Sequence, residues 1–306
     1  MMTTDLIPFV FGATDVLAEL PDQIGKQRII KIPLGSIPVE EQLLDCRDMK
    51  TLYPPRFARL LNLANGVAYG GGMGMPEWVM LDCALIPSYF AGFMGPANLL
   101  SESHRLLVNE GLIQVEKQRS QKRQQVEQHL AIPQGELVPD EWFPIAEFCA
   151  IPRVTPRQIM GYSLYSLKRG LGLRTKAFGL WLWRHLGYEY QTGVAQWTNL
   201  AAVRTHLKLG TLELIDPLTS MHTKAGETFV YRLKIPSLDT LRSLVESSYE
   251  ANASLIHSVP PKVVWKSINE VSWWLTHKVE GSQTLELYEI RSTPKGDEVL
   301  ISSGEF

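Results

Sequence analysis

The sequence predicts an α/β protein, more closely an α+β arrangement on a mixed sheet. One observation is that strand-like and helix-like segments alternate between about residues 141 and 234. Another is composition, since 45% of the 306 residues are hydrophobic and 20% are charged, as in folded globular proteins. In addition, no apolar stretch approaches the ~20 residues that span a bilayer, and no basic region precedes the short apolar run at the amino end. We therefore expect a cytoplasmic protein without a membrane partner.

Charge and cysteine content exclude several other classes. The formal net charge is −2, from 30 basic and 32 acidic side chains, so we expect no nucleic-acid partner. Three widely spaced cysteines, Cys46, Cys83 and Cys149, lie in apolar surroundings and are expected to be reduced core residues. The seven histidines are scattered and no paired cysteine spacing is present, so the sequence predicts no metal site.

The amino-terminal third begins with one strand and two helices. Residues 28–34, with the sequence RIIKIPL, have the β-branched content of a strand. Ser36 then provides a cap for a helix with a proline and acids in its first turn. A second helix is expected from Pro55 to a stop near Gly66. The short apolar run at 77–86 is typical of a buried strand.

The central part supplies the remaining elements of the predicted sheet. After a polar helical insertion at about 98–135, strands are expected at 141–151 and 158–168, joined as an antiparallel pair. A helix then runs from a glycine-containing turn to Gly187. It is followed by a strand at 190–197.

The carboxyl-terminal part contains further strands and helices. A short helix is expected after 197, with Thr198 as cap and Gly210 as stop, and then two strands at 212–216 and 227–235. Beyond Pro236 the pattern predicts two amphipathic helices and a terminal hairpin. We divide the chain into an arm, a central domain with its insertion, and an appendage, at residues 1–25, 26–235 and 236–306.

One stretch, YSLKRGLGLRTKAF, has the composition of a phosphate-binding turn. A strand enters a glycine-containing turn at the start of a helix, where main-chain N–H groups lack an intrahelical partner and lie at the positive end of the helix dipole. Lys168, Arg169, Arg174 and Lys176 would add positive charge. A diphosphate is the kind of ligand that fits such a place.

Together with the next helix, this stretch resembles the GNAT superfamily of N-acyltransferases. The family's phosphate turn is Arg/Gln-x-x-Gly-x-Gly/Ala, and Arg169 and Gly172 occupy its first two fixed places. The family's later Asn-x-x-Ala helix, which ends at a glycine, is matched by Asn199, Ala202 and Gly210. The resemblance covers about 25–235 and is specific over about 159–234. It implies a GNAT-like acyl-CoA N-acyltransferase fold with a helical insertion and a C-terminal appendage.

The resemblance also implies a cofactor and its site. Acetyl-CoA or another acyl-CoA would be the co-substrate, with its pantetheine arm between two splayed parallel strands at 161–167 and 193–197. The cofactor-binding residues that the resemblance implies are Leu167, Arg169, Gly170, Leu171, Gly172, Leu173, Arg174, Thr175 and Asn199. One departure is Arg174, which stands where the family has Gly or Ala. Its side chain must either point away from the ligand or reach a phosphate.

Two residues are candidates for catalysis. His206 stands where the family often has a tyrosine that protonates the departing thiolate, and an imidazolium can donate a proton in the same way. It can also be an ordinary helix residue. Glu147 is the candidate base, because a carboxylate within WFPIAEFCAI can be desolvated and its pKa raised toward neutrality. Otherwise it lies on the strand's solvent face. Alternation places Tyr162 and Ser163 on opposite faces of their strand.

The function that this pattern indicates is transfer of an acetyl or other acyl group from acyl-CoA to an amine by direct attack. The acceptor can be a small molecule or a peptide, and a longer acyl chain is also open. The alternative is a non-catalytic GNAT-like binding or scaffold protein whose cofactor turn is degraded by Arg174. The oligomeric state stays open, with a homodimer among the alternatives.

Overall fold

The structure is a computed structural model, and in it the chain divides into two compact units. The described residues are 6–34, 54–70, 74–121, 136–217, 227–247, 259, 262–278 and 284–302. Unit 1 comprises Met1–Ile151, Tyr162–Leu182 and Val245–Glu250, and unit 2 comprises Pro152–Gly161, Trp183–Leu244 and Ala251–Phe306. The predicted helix after Ser36 and the glycines at 71–73 lie outside the described residues, as does Cys46. Both units combine helices with mostly antiparallel strands, so the mixed α/β class is confirmed.

Unit 1 contains the amino-terminal elements and most of the fifth helix, as far as Leu182. Its helices and strands, in chain order, are β1 (Ile7–Ala13), α1 (Thr14–Glu19), β2 (Gln23–Ile24), β3 (Gln27–Arg28), β4 (Ile30–Leu34), α2 (Pro54–Tyr69), α3 (Glu77–Leu85), β5 (Tyr89–Pro96), α4 (Glu102–Gln121), β6 (Trp142–Pro152), β7 (Gln158–Ser166) and α5 (Leu171–His185). β7 and α5 each continue into unit 2 at one end.

The main sheet of unit 1 has the strand order β4-β1-β5-β6-β7. β1 is parallel to β4 and antiparallel to β5, with Phe9 opposite both Ile30 and Gly92. β5 is antiparallel to β6. The segment predicted as an arm, residues 1–25, therefore contributes an inner strand of this sheet.

Helices cover both faces of this sheet. On one face α2 packs against β1, where the rings of Phe57 and Phe9 have centroids 4.9 Å apart. On the other face α5 packs against β5, where the centroids of Phe93 and Phe178 are 5.5 Å apart. Because side chains alternate along β6, Phe148 faces α5 and Glu147 faces α2. Glu147 therefore lies between the sheet and α2.

Unit 2 contains the carboxyl-terminal elements and the first residues of β7. Its further helices and strands are β8 (Tyr190–Gln196), α6 (Leu200–Leu207), β9 (Leu212–Pro217), β10 (Thr228–Lys234), α7 (Leu238–Glu246), β11 (Val263–Ser267), α8 (Ile268–His277), β12 (Leu285–Thr293) and β13 (Gly296–Ser302). The strand order is β11-β13-β12-β9-β10-β8-β7. β12 is antiparallel to β9, with Leu285 opposite Leu214, so the predicted appendage extends the sheet of this unit.

Two predicted elements are wrong in type. The run at 77–86, expected as a strand, forms helix α3, because a continuous apolar run of this length fits a buried helix as well as a buried strand. The helix expected from 261 begins only at Ile268, after strand β11. Ser267 and Glu270 form a capping box there, which marks the start of the helix within the segment.

Two predicted helix ends also differ. α2 continues past Gly66 to Tyr69. A Cβ on Gly66 would meet nothing within 4 Å, so packing does not require a glycine at this position. α6 is capped by Asn199 rather than by Thr198, because the Asn199 side chain accepts a hydrogen bond from the Ala202 N–H. Strand β5, which was not predicted, is an inner strand of unit 1.

Candidate functional site

Strands β7 and β8 form a parallel pair over only part of their length. β7 extends to Ser166 and β8 to Gln196. Among the residues that the structure describes, the paired positions are Gln158 with Tyr190, Ile159 with Gln191 and Met160 with Thr192. The described ladder therefore ends after Met160, while both strands run on.

The turn between β7 and α5 is tight and specific. Gly170 has a φ of +84°, in the left-handed region that favours glycine. The Lys168 carbonyl accepts hydrogen bonds from the Leu171 N–H at 3.2 Å and from the Ser166 hydroxyl at 2.6 Å. This geometry turns the chain from the end of β7 directly into the first turn of α5.

The first turn of α5 presents unused main-chain donors. Within the described part of the chain, the N–H groups of Gly172, Leu173 and Arg174 donate to no acceptor outside the helix, as is usual for a first helical turn. A Cβ on Gly172 would meet only the Ser166 Cβ, at 3.9 Å, so the space above this glycine is open. An anion could approach these donors closely.

The expected cluster of four cationic side chains around this turn is wrong in part. Arg174 is buried, and its guanidinium donates to the Val245 carbonyl at 2.6 Å and lies 4.7 Å from the centroid of the Phe93 ring. Lys176 is fully buried, and burial holds its pKa well below the ordinary value. The physical reason is that every residue of α5 from Arg174 to Trp183 is buried, so both cations face the core. The Arg174 side chain therefore adopts one of its two expected orientations, the one that points away from the position expected for the ligand.

The remaining residues that were predicted to bind the cofactor differ in their exposure and in their hydrogen bonds. Arg169 and Gly170 are exposed, whereas the Thr175 hydroxyl is buried and donates to the Leu171 carbonyl at 2.9 Å. Leu167 is buried and its N–H donates to the Ile145 carbonyl. Its own carbonyl accepts a hydrogen bond from His104 Nδ1 at 3.0 Å, so this histidine of α4 carries its proton on Nδ1. The exposed cation at the turn is therefore Arg169.

The sequence left two positions open for Glu147, a desolvated one and one on the strand's solvent face, and the structure shows the buried one. Its exposed fraction is 0%, and burial raises its pKa from 4.5 to about 8. The hydroxyl of Ser163 and the amide of Asn65 lie near enough to lower that pKa, but burial outweighs them. Neither carboxyl oxygen reaches good hydrogen-bond geometry with a described residue. At neutral pH the carboxyl is mostly protonated.

Two side chains of α2 join Glu147 in one polar cluster. Asn65 Nδ2 donates to Ser163 Oγ at 3.0 Å, while Asn65 Oδ1 accepts from the Met75 N–H. The Tyr69 hydroxyl donates to the Leu164 carbonyl and accepts from the Leu164 N–H, each at 2.9 Å. Tyr69 thus occupies both main-chain groups of one residue of β7.

The face alternation expected for β7 is confirmed. Ser163 is buried beneath α2, whereas 49% of Tyr162 is exposed. Cys83 and Cys149 are free and buried, as expected for reduced core residues. Burial, followed by a hydrogen bond with Cys83, raises the pKa of the Cys149 thiol well above its ordinary value. The Cys149 thiol is therefore not suited to act as a nucleophile.

His206 belongs to the core of unit 2. Only 6% of the residue is exposed, and its ring centroid lies 4.9 Å from that of Tyr231. The alternative that the sequence left open, an ordinary helix residue hydrogen-bonded at the surface, is wrong about the position of His206, because the side chain is buried. The role of His206 as a proton donor stays a prediction.

Asn199 acts as a helix cap, which leads to a testable expectation. Its Oδ1 accepts a hydrogen bond from the Ala202 N–H at 3.2 Å. We expect Asn199→Ala to lower the free energy of unfolding by about 1 kcal/mol, because one N–H at the start of α6 loses its acceptor. Asn199→Ser, which keeps a capping oxygen, should stay close to the wild type in urea denaturation. An unchanged midpoint for Asn199→Ala would show that the cap contributes nothing.

Comparisons with known proteins add no family to these observations. A scan against models of protein families found no match, and a search among curated proteins found none at a significant level. Among the described residues, no helix is both long and apolar enough to cross a bilayer. The same residues contain no group of three or more His, Cys, Asp or Glu side chains that could hold a metal ion.

Three residues of the site were not found from the sequence. Asn65 and Tyr69 lie four residues apart on α2, and their polar groups meet β7 about 95 residues later. His104 lies on the helix that the sequence assigned to an insertion. The only local signal was that Asn65 and Tyr69 interrupt the apolar face of an amphipathic helix, and such interruptions are common.

Proposed function

We propose that this protein transfers an acyl group from an acyl-CoA to an amine, on a GNAT-like fold. The observation that carries the proposal is the turn after β7. A left-handed Gly170 brings the first turn of α5 to the end of the strand, with open space above Gly172 and three main-chain donors beside it. A diphosphate at that point would meet both the N–H groups and the positive end of the helix dipole.

The rest of the cofactor would follow β7. In the part of β7 that belongs to unit 1, the main chain would form sheet-like hydrogen bonds with the pantetheine arm. At Leu164 the main-chain groups are held by the Tyr69 hydroxyl. The thioester is proposed to lie at this residue, with the Tyr69 hydroxyl moving from the Leu164 main chain as the cofactor binds.

The chemistry is a direct acyl transfer. The amine nitrogen attacks the thioester carbonyl carbon, a C–N bond forms, and the C–S bond breaks. Coenzyme A leaves as a thiolate, which can take its proton from water, while the amine loses one proton to a base. Glu147 is the base that the described residues of the cluster offer, because its raised pKa of about 8 makes its carboxylate a stronger proton acceptor than an ordinary glutamate.

Calorimetry tests the proposal directly. Acetyl-CoA and coenzyme A titrated into the purified protein should give saturable binding, whereas pantetheine, which lacks the diphosphate, should bind at least about 100-fold more weakly. A panel of amines added with acetyl-CoA should then release free thiol. Absence of heat at millimolar acetyl-CoA would refute the proposed cofactor.

A binding protein without catalysis is the second candidate. It is favoured by Arg174, whose side chain faces away from the turn, and by the occupation of the Leu164 main chain by Tyr69. Such a protein should give no heat with millimolar coenzyme A in the same titration and should release no thiol with any amine. Binding and thiol release, measured together, separate the two candidates.

A further inference from the structure

Tyr69, the last residue of α2, makes two hydrogen bonds to a single residue of β7. Its hydroxyl donates to the Leu164 carbonyl and accepts from the Leu164 N–H, each at 2.9 Å. A main-chain N–H has one hydrogen to donate, so at Leu164 that hydrogen is used by the tyrosine and not by a neighbouring strand. The hydroxyl therefore takes the place that an extended ligand would take along this part of β7.

The end of α2 that carries Tyr69 is open to solvent. Gly66, Ala68 and Gly70 are exposed, and Tyr69 is half-buried. Gly70 has a φ of +50°, so the helix ends directly after Tyr69 at a residue in the left-handed region. Cβ atoms on Gly66 and Gly70 would meet nothing within 4 Å. The space beside the last turn of α2 is therefore open to a rotated Tyr69 side chain.

Asn65 holds the preceding turn of α2 in place. It is fully buried, its Nδ2 donates to Ser163 Oγ at 3.0 Å, and its Oδ1 accepts from the Met75 N–H at 2.6 Å. These contacts fix α2 to β7 four residues before Tyr69 and do not involve the Tyr69 hydroxyl. Tyr69 can therefore leave Leu164 while the helix stays on the sheet.

We propose that Tyr69 is a latch on the acyl-CoA site, an inference that rests on the proposed function. Its hydroxyl holds the Leu164 main chain while the site is empty and leaves when the pantetheine arm arrives. The thioester carbonyl can then accept from the Leu164 N–H, and the nearest amide N–H of the arm can donate to the Leu164 carbonyl. A ligand without a donor and an acceptor at this point leaves a main-chain group unpaired. Tyr69 is thus a specificity-determining residue for the arm.

The latch lowers the affinity for the cofactor. Only molecules with the latch open are ready to bind, so the measured dissociation constant is the intrinsic constant divided by the open fraction. Two hydrogen bonds between uncharged groups favour the closed latch by about 10-fold, since each contributes only modestly in water. Removal of the Tyr69 hydroxyl should therefore tighten the binding of acyl-CoA.

Calorimetry with two ligands tests the latch. Tyr69→Phe should bind acetyl-CoA about 10-fold more tightly than the wild type does. ADP has a diphosphate and no pantetheine arm, so its affinity for the two proteins should be equal. Tyr188→Phe, which removes a phenol hydroxyl in unit 2, is the matched control and should bind both ligands as the wild type does. An acetyl-CoA affinity of Tyr69→Phe no higher than that of the wild type would overturn the latch.

Amide hydrogen exchange tests the contact without any ligand. The Leu164 N–H donates to the Tyr69 oxygen, so this amide should exchange at least about 10-fold faster in Tyr69→Phe than in the wild type. The Leu167 N–H donates to the Ile145 carbonyl, and its exchange should not change. Acetyl-CoA added to Tyr69→Phe should restore the protection of the Leu164 amide. Equal exchange of this amide in the two ligand-free proteins would overturn the latch.

The outcomes separate the latch from the function on which it rests. A wild-type protein that binds acetyl-CoA, with no gain of affinity in Tyr69→Phe, would overturn the latch alone. A gain as large for ADP as for acetyl-CoA would also overturn it, because the effect would not depend on the arm. No heat with acetyl-CoA in either protein would overturn the latch together with the proposed function. A gain confined to acetyl-CoA would support both.

Discussion

The Glu147→Gln variant should be more stable than the wild type at pH 9 and close to it below pH 4.5. Glu147 keeps its proton in the folded state up to about pH 8, whereas the unfolded chain loses it near 4.5. The folded state therefore binds more protons between these values, and the wild type loses stability as the pH rises through that window. At about 1.4 kcal/mol for each pKa unit, the loss is on the order of 5 kcal/mol. Glutamine, which resembles the protonated acid, does not incur it.

Urea denaturation at a series of pH values measures this effect. The difference in the free energy of unfolding between Glu147→Gln and the wild type should grow steadily from about pH 5 to pH 8 and then level off. Glu110→Gln, at an exposed carboxyl of α4, is the control and should show no such growth. Parallel stability curves for Glu147→Gln and the wild type would mean that the carboxyl is ionised in the folded protein at neutral pH.

The Gly172→Val variant should bind acetyl-CoA at least about 100-fold more weakly than the wild type, which corresponds to about 2.7 kcal/mol. A Cβ on Gly172 would meet only the Ser166 Cβ, at 3.9 Å, so the valine Cβ adds no clash, and we expect its methyl groups to extend into the open space above it. They would then occupy the position proposed for the diphosphate. Isothermal calorimetry measures the change.

Gly66→Val is the matched control for this variant. Gly66 also lies in a helix, and a Cβ there meets nothing within 4 Å, so the same side chain is added to a similar backbone away from the turn. Both variants should keep the thermal midpoint within a few degrees of the wild type. Equal affinity of Gly172→Val and Gly66→Val for acetyl-CoA would show that the diphosphate does not lie at the start of α5.

Local sequence patterns predicted the turn and gave burial as one of two positions for Glu147. A strand that is followed by Gly170 and then by a long apolar helix predicts a tight turn. Such a turn needs a residue in the left-handed conformation, which glycine adopts readily. Glu147 is flanked on both sides by apolar residues, and such a strand is buried on both faces. Both features depend on residues that are close together in the chain.

The partners of Glu147 could not be predicted because they come from tertiary packing. Asn65 and Tyr69 reach β7 only when α2 lies across the sheet, and no local pattern gives that position. The inward turn of Arg174 also depends on the chain near Val245, which is distant in sequence. The strand predicted at 77–86 is wrong for a simpler reason. An apolar run of ten residues has no periodicity that distinguishes a buried strand from a buried helix.

The position of β1 in the sheet limits how far the amino end of the protein can be shortened. Its main-chain groups bond to β4 on one side and to β5 on the other, so Phe9 and Phe11 join two neighbours that do not pair with each other. A deletion through Ala13 would therefore remove a strand from the middle of the assembled layer and open two adjacent edges to aggregation. Shortened versions of the protein should therefore retain β1 from Ile7 onward.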